Sequence, residues 1–362
     1  MLVPWPARNI VSGPNIAGSV SLTQHKQTAE RLILALLILA LAAALWMLRD
    51  VVITAFAAVL VAVLLREITD LLHTRLRMPP GLALAGAVII AFSVPIGAAW
   101  LFGREVSVQS TLIAQAIPGA IDRLGQLLDP IGIGDAFRHA VQNLLDPAAI
   151  AKRVGGIASS SIGVILHLLL VIFGSIYFAA QPCLYRTGLV KLVPPRGREL
   201  AGAALDTVGV ALRRWLLGQL AAMALVGLLT GVGLLLLGSP SALTLGVLAA
   251  ALEFIPYLGP ILSAVPAIAV ALVHSPQQAV WVAGLYLLVQ QAENHLIQPL
   301  IQQRAVDIPP ALLLFGVVAM GTLFGAAGVV LAAPLAVVFY VLVKQLWVRE
   351  ALHTPTPLPS ED

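Results

Sequence analysis

Apolar runs close to the roughly 20 residues needed to cross a hydrocarbon core recur along this chain, and its charges fall mostly in the connections between them. In lipid every backbone N–H and C=O must find its partner within the protein, so runs of this length must be helical. Of 362 residues, 59% are hydrophobic and only 10% are charged, against about 25% charged in soluble domains. A water-exposed surface cannot be built from that supply. The sequence predicts an all-α fold, a polytopic membrane helix bundle, and its work is expected in the bilayer.

The formal net charge is +4, which suits a protein facing anionic lipid. The basic residues sit beside hydrophobic spans and are not clustered with aromatics on one face, so a nucleic-acid partner is not expected. Cys183 is the only cysteine, which excludes an intrachain disulfide, a zinc ribbon or a thiol pair. The first 30 residues lack the apolar core of a cleavable signal, so the first span is expected to drive insertion.

A first run, Leu32 to Leu48, and a second, Val51 to Leu65, flank Arg49-Asp50 and are expected to form a tight helical hairpin. Gly81 to Gly103 is a third span, with Pro95 predicted to kink it. From Arg104 to Arg153 charges come every few residues, with Ile117, Ile121, Leu124 and Leu128 at helical spacing and Pro118, Pro130 and Pro147 as punctuation. These are expected to be amphipathic helices, either an extramembrane cap or gate or a packing element. A fourth span covers about 157–180 and holds His167, read either as a packed neutral side chain or as a proton relay; a fifth runs from Trp215 to Leu237. The connection between them carries Arg186, Lys191, Arg196, Arg198, Arg213 and Arg214 against Glu199 and Asp206. The positive-inside rule places it in the cytoplasm, and counting spans back puts the N-terminus there too. The expected layout is a cytoplasmic tail (1–30), three spans (31–103), the amphipathic insert (104–156), a transport core (157–343) and a second cytoplasmic tail (344–362).

Two later stretches do not suit single helices. Ser241 to Val273 contains Glu253, Pro256, Gly259, Pro260 and Pro266. Ile308 to Val343 contains Gly321, Gly325, Gly328 and Pro334, and at about 1.5 Å per residue it would be roughly 54 Å long as one helix. Both must be broken, re-entrant or hairpinned. They also match faintly: Gly246, Phe254 and Gly259 answer Gly316, Phe324 and Gly328 with one gap. Paired interrupted segments point to a transporter binding site, because broken backbone at membrane depth lines a cavity or is buried in protein; chance similarity is the alternative. Between them, Gln290, Asn294 and Gln298 fall on one i, i+4 line with Glu293 alongside. That polar face either points into a wet interior or marks a helix end emerging into water.

Glu253-Phe254-Ile255-Pro256-Tyr257-Leu258-Gly259-Pro260, the run Glu293 to Pro299, and Phe324-Gly325-Ala326-Ala327-Gly328 leading to Pro334, with Arg214 and Gly218-Gln219 upstream, together resemble the autoinducer-2 exporter family of bacterial permeases. The resemblance covers about residues 30 to 345. It implies an inner-membrane protein with roughly seven or eight spans plus re-entrant segments, homo-oligomeric with a pentamer among the options. It also implies export of autoinducer-2 or, as in some relatives, sodium or lithium exchange for protons. One departure is Gln181-Pro182 after Tyr177-Phe178, where the family pattern has an acidic residue.

Glu253 is the leading candidate for a titrating group, because a charge at mid-span costs roughly 2.5–3.5 kcal/mol unless neutralised, paired or wetted; capping freed amides at the break is its structural alternative. Pro256, Gly259 and Pro260 would expose backbone groups to a solute, and Glu293, Asn294 and Gln298 could add polar partners. Gly321, Gly325, Gly328 and Pro334 serve either a break or close packing. The expected function is secondary transport, as an exporter of a small polar solute or a monovalent cation/proton antiporter. No cofactor or metal is expected. An intramembrane enzyme is disfavoured, since no His-Glu-x-x-His pair, paired intramembrane aspartates or Gly-x-Ser-x-Gly elbow occurs. An uncoupled channel or scaffold would tolerate Glu253→Gln. No nucleotide-binding Gly-x-x-x-x-Gly-Lys-Ser/Thr loop is present.

Overall fold

Helix boundaries in this chain are set by proline and glycine. In the computed structural model the described residues are 46–101, 161–239, 241–297 and 309–354, with short pieces at 43, 103–104, 129–132, 134–135 and 356. The principal helices are α1 (Arg49–Leu76), α2 (Pro80–Leu101), α3 (Ser161–Ala180), α4 (Pro182–Lys191), α5 (Arg198–Leu236), α6 (Ala242–Leu252), α7 (Leu258–His274), α8 (Pro276–Ala292) and α9 (Pro310–Leu342). Pro182, Pro276 and Pro310 open their helices, where a missing N–H costs nothing. Gly238, at φ +68°, ends α5: its N–H reaches Leu235 O at 3.0 Å and the Ser239 N–H reaches Leu234 O at 2.9 Å, a Schellman closure of the last free carbonyls. Among the described residues five helices are long and apolar enough to cross a membrane, two shorter helices are apolar, and there is no strand. The chain is a multi-pass, all-α membrane protein.

The second to fifth predicted spans are apolar helices of membrane-crossing length, with corrections at their ends. The second run does not stop at Leu65: α1 continues through Arg66, Glu67 and Asp70 to Leu76. Those charges are accommodated because Arg213 of α5 pairs with Glu67, one of its nitrogens lying 3.0 Å from Glu67 Oε2. Likewise α5 begins at Arg198 and not at Trp215, its first turns held by Arg186 of α4, which donates to both carboxylate oxygens of Asp206 at 2.6 and 2.5 Å. That bond keeps the Arg186 guanidinium more firmly protonated than usual. The basic residue beside Gln181-Pro182 thus finds its acid on the next helix. His167 is not sealed in the interior: it is exposed on α3, with its imidazole 2.9 Å from the Thr54 hydroxyl of α1. Most of the run Leu32–Leu48, its hairpin with α1, and nearly all of the amphipathic insert lie outside the described residues.

Among the described residues four apolar clusters join the helices, the smallest being Ala222 and Val226 of α5 with Val289 of α8. Leu60 of α1, Ala211, Leu212 and Leu216 of α5, and Leu331, Val337 and Val341 of α9 form the largest. Ala62 and Leu65 of α1 meet Ala87 of α2 and Ala179 of α3. Leu234 of α5, Leu245 of α6, Ala267 of α7 and Val282 of α8 form the third. Helices α5 and α6 approach through Gly227 and Gly231 against Gly246, where an added Cβ would lie 2.7 Å from the Gly231 Cα. This is the small-residue contact that drives association where lipid removes the hydrophobic difference.

Both long apolar stretches are interrupted, as their length requires. The first folds back between α6 and α7 over residues 253–257. The second turns inside α9 at Gly325, whose φ of 64° and ψ of −144° are non-helical. Gly328 then lies against the Met320 carbonyl, so closely that a Cβ would overlap it, and Leu313 shares a cluster with Val341. Residues this far apart would be roughly 42 Å distant in a straight helix, so α9 is a hairpin of two arms. Pro266 and Pro334 do not break their helices; Pro334 is fully buried. Beyond Leu342 the helix continues with π geometry through Val343–Ala351.

Because Gly325 occupies a conformation essentially open only to glycine, Gly325→Ala is expected to cost about 1–3 kcal/mol. Gly316→Ala, on a helix with open space around the Cα, should be neutral. Paired thermal melts in detergent check both.

Candidate functional site

The turn between α6 and α7 builds the site. Ile255 N–H bonds Leu252 O at 2.9 Å and Gly259 N–H bonds Ile255 O at 2.8 Å, so the reversal is tight. At its apex Tyr257 has φ 66° and ψ −39°, with Leu258 N–H on Pro256 O at 2.8 Å. This is a γ-turn of the rare, strained form on a non-glycine residue. Gly259 follows, and a Cβ there would overlap the Leu252 carbonyl; only glycine lets the arms cross this closely. The turn is anchored to α5 by Gln219, whose side-chain amide donates to the Glu253 carbonyl at 2.7 Å, and by Trp215 stacking edge-on against Phe254 at 5.9 Å between centroids. Phe324, at the fold-back of α9, packs on the same cluster as Phe254. The two interrupted stretches therefore converge.

Glu253 closes α6 with its side chain turned inward, 3% exposed, and Glu293 at the end of α8 is 6% exposed. The two carboxyls are hydrogen-bonding neighbours. Gln290 donates to Glu293 Oε2 at 2.9 Å, whereas Glu253 Oε2 is buried with no partner among the described residues. Two ionised carboxylates about 4 Å apart would repel by about 4 kcal/mol at an effective dielectric constant near 20. The arrangement can therefore hold a shared proton, or a cation between the two acids.

Of the expected polar face only part turns inward. At Glu293 the helix widens into the π-helical segment Glu293–Ile297, which changes the angle between successive side chains. Asn294 no longer lies beneath Gln290 and is exposed, as are Gln291 and His295. Asn294 is thus not part of the buried site, a correction to the i, i+4 reading, and Gln298 lies outside the described residues. Such π turns occur frequently at functional sites. Pro256 sits in the turn, while Gly259 and Pro260 belong to the first turn of α7. Gly321 lies near Val329, Gly325 makes the break, and Gly328 and Pro334 pack. Sequence reading did not single out Gln219 or Tyr257 as site residues. Nothing local marks Gln219 as a partner of Glu253 across 34 positions, and the positive φ of Tyr257 has no sequence signal, since turn-forming residues at such angles are normally Gly or Asn.

Residues 34–347 match the family model described as AI-2E family transporter. The chain belongs to that family. Among curated relatives, the transporter is 25% identical over 298 residues to the putative transport protein YrrI of Bacillus subtilis strain 168, covering 79% of this chain and 83% of that one. It is 24% identical over 304 residues to the AI-2 transport protein TqsA of Escherichia coli strain K12, covering 82% and 86%. The putative transport protein YueF of B. subtilis matches at 27% over 217 residues, 60% of this chain and 57% of the relative. The transporter is thus a membrane permease whose buried acids lie within the matched region.

A pair of like-charged groups held in the interior works against folding. Glu253→Gln is expected to leave the melting temperature of the transporter at neutral pH unchanged or raise it by a few degrees. Gln219→Ala, which strands the Glu253 carbonyl, should lower it by an amount corresponding to about 1–2 kcal/mol. Differential scanning fluorimetry on the purified variants separates the two.

Proposed function

We propose that this transporter is a secondary transporter, not an enzyme, which exports a small polar solute and couples that movement to protons through Glu253 and Glu293. The observation that carries the reading is the buried carboxyl pair at the tip of a folded-back helix, one of whose oxygens has no partner among the described residues. Two carboxyls this close repel when both are ionised, so a proton or cation taken up between them relieves that repulsion and changes the charge at the tip by one unit. The strained turn at Tyr257 lies four residues on. A change in tip charge can therefore be coupled to a change in backbone geometry, the element that alternating access requires. Relatives named for AI-2 transport support a small polar signalling molecule as the solute. The basic residues around Arg186 to Arg214 support a cytoplasmic location for that end of α5 and for the N-terminus, in a bacterial inner membrane. Assembly as a homo-oligomer, with a pentamer among the options, completes the reading.

Monovalent cation/proton exchange is the second reading, favoured by the same unpartnered carboxylate oxygen, which suits a hard cation as well as a proton.

Proteoliposomes with a pH-reporting dye inside test both. Solute addition should elicit a proton flux that falls at least tenfold in Glu253→Gln and Glu293→Gln. A sodium or lithium pulse eliciting the same flux selects the cation reading. Full flux in both variants would show that the acids do not couple transport.

A further inference from the structure

The buried hydroxyls of the α5–α8 unit are not explained by the carboxyl pair. Thr230 on α5 is 0% exposed, Ser263 on α7 is 2% and Tyr286 on α8 is 9%. Helical serines and threonines usually satisfy their hydroxyls by donating to a carbonyl one turn back. Buried Thr207 does so to Ala203 at 2.9 Å, as do half-buried Thr69 to Leu65 at 2.6 Å and exposed Thr322 to Ala319 at 2.8 Å. Thr230 does not: its Oγ1 has no partner among the described residues, and neither has the Tyr286 hydroxyl.

Val226, one turn before Thr230, shares a cluster with Val289 of α8, and Leu234, one turn after it, shares one with Tyr286 and Val282 of α8. Thr230 thus sits on α5 between two turns that pack toward α8. The Tyr286 hydroxyl lies near the Ser263 hydroxyl. Ser263 gives its proton to Pro260 O at 3.0 Å, which leaves its oxygen lone pairs open. Three residues on, Pro266 has no N–H to offer the Leu262 carbonyl. Tyr286 itself is about two helical turns or ~10 Å along α8 from Glu293. Further on, the hairpin carries buried Thr244 and Ser241 toward its open end, where Gln278 donates to Leu237 O at 3.2 Å.

We propose that Thr230, Ser263 and Tyr286 hold a buried water site that relays protons between the Glu253–Glu293 pair and the Leu237–Ser275 end of the membrane core. The inference rests on the proposed proton-coupling role of that pair. Buried hydroxyls without protein partners are satisfied by ordered water making about three hydrogen bonds, and convergent donors and acceptors are what such a water needs. Isolated bare cations fit less well, since they would leave the two O–H donors unmatched. In the relay each oxygen accepts a proton on a lone pair while passing on the one it held. One proton moves, every hydroxyl is regenerated, and no bond to carbon changes.

Two measurements test the site in the full-length protein. In a Cys183→Ser background, which removes the only thiol, Thr230→Cys and Ser263→Cys are exposed to hydrogen peroxide, little larger than water itself, which oxidises thiolates in contact with water to sulfenic acid and leaves water. Parent Cys183, which is exposed, serves as the oxidation control. Both introduced thiols should react. Separately, Tyr286→Phe, which keeps the ring and removes only the hydroxyl, should slow solute-driven proton flux at least tenfold while solute binding stays within twofold. The proposal needs both results. Silent thiols beside a reactive Cys183 mean dry packing and overturn it, as does parental flux in Tyr286→Phe. Loss of flux in Glu253→Gln together with either negative result overturns the relay alone. Full flux in Glu253→Gln removes the coupling reading on which the relay rests, whatever the thiols do.

Discussion

A hydrocarbon core offers no water to an unpaired amide or carbonyl, and the architecture follows from how the chain meets that constraint. Long helices satisfy it automatically. Among the described residues the fold-backs at 253–257 and at Gly325 leave the plain helix within long apolar stretches, and each is held by close backbone contact. Gly259 lies on the Leu252 carbonyl and Gly328 on the Met320 carbonyl, so each fold-back closes tightly on its own first arm, while Tyr257 and residues 325–327 at the apices stay exposed. The Gln219 amide closes the remaining carbonyl at Glu253. Exposed to lipid, the same turns would leave several polar groups unmatched, at several kcal/mol each.

Placing turns at membrane depth has a chemical consequence. Helix ends bring their side chains to the same depth, so the end of α6 and the π-widened end of α8 deliver Glu253 and Glu293 to one another inside the protein. The pair is set beside a turn whose backbone already holds strain at Tyr257. Beside it, α5 and α6 pack closely through Gly227, Gly231 and Gly246.

The fold class and most of the interruptions were legible in the sequence because they follow from length and polarity alone. Runs near 20 residues, the excess length of Ile308 to Val343, and the Pro/Gly cluster after Glu253 needed no tertiary knowledge. Ends of helices were less legible: α1 and α5 run past their apolar segments because ion pairs at Glu67–Arg213 and Arg186–Asp206 carry them onward, and partners so distant in sequence leave no local trace. Gly325 could be named as one of several glycines, but not as the one that turns.

Sequence by itself settled that the chain is a polytopic helical membrane protein with an acid at a break, since hydropathy and backbone chemistry act residue by residue. The tertiary structure alone decided which acid meets Glu253, that Asn294 faces outward, and that Thr230, Ser263 and Tyr286 are buried. Those facts depend on how helices rotate and cross, and rotation is set by packing between segments far apart in the chain. A helical wheel drawn at 3.6 residues per turn places Asn294 beneath Gln290; one widened turn at Glu293 is enough to undo it.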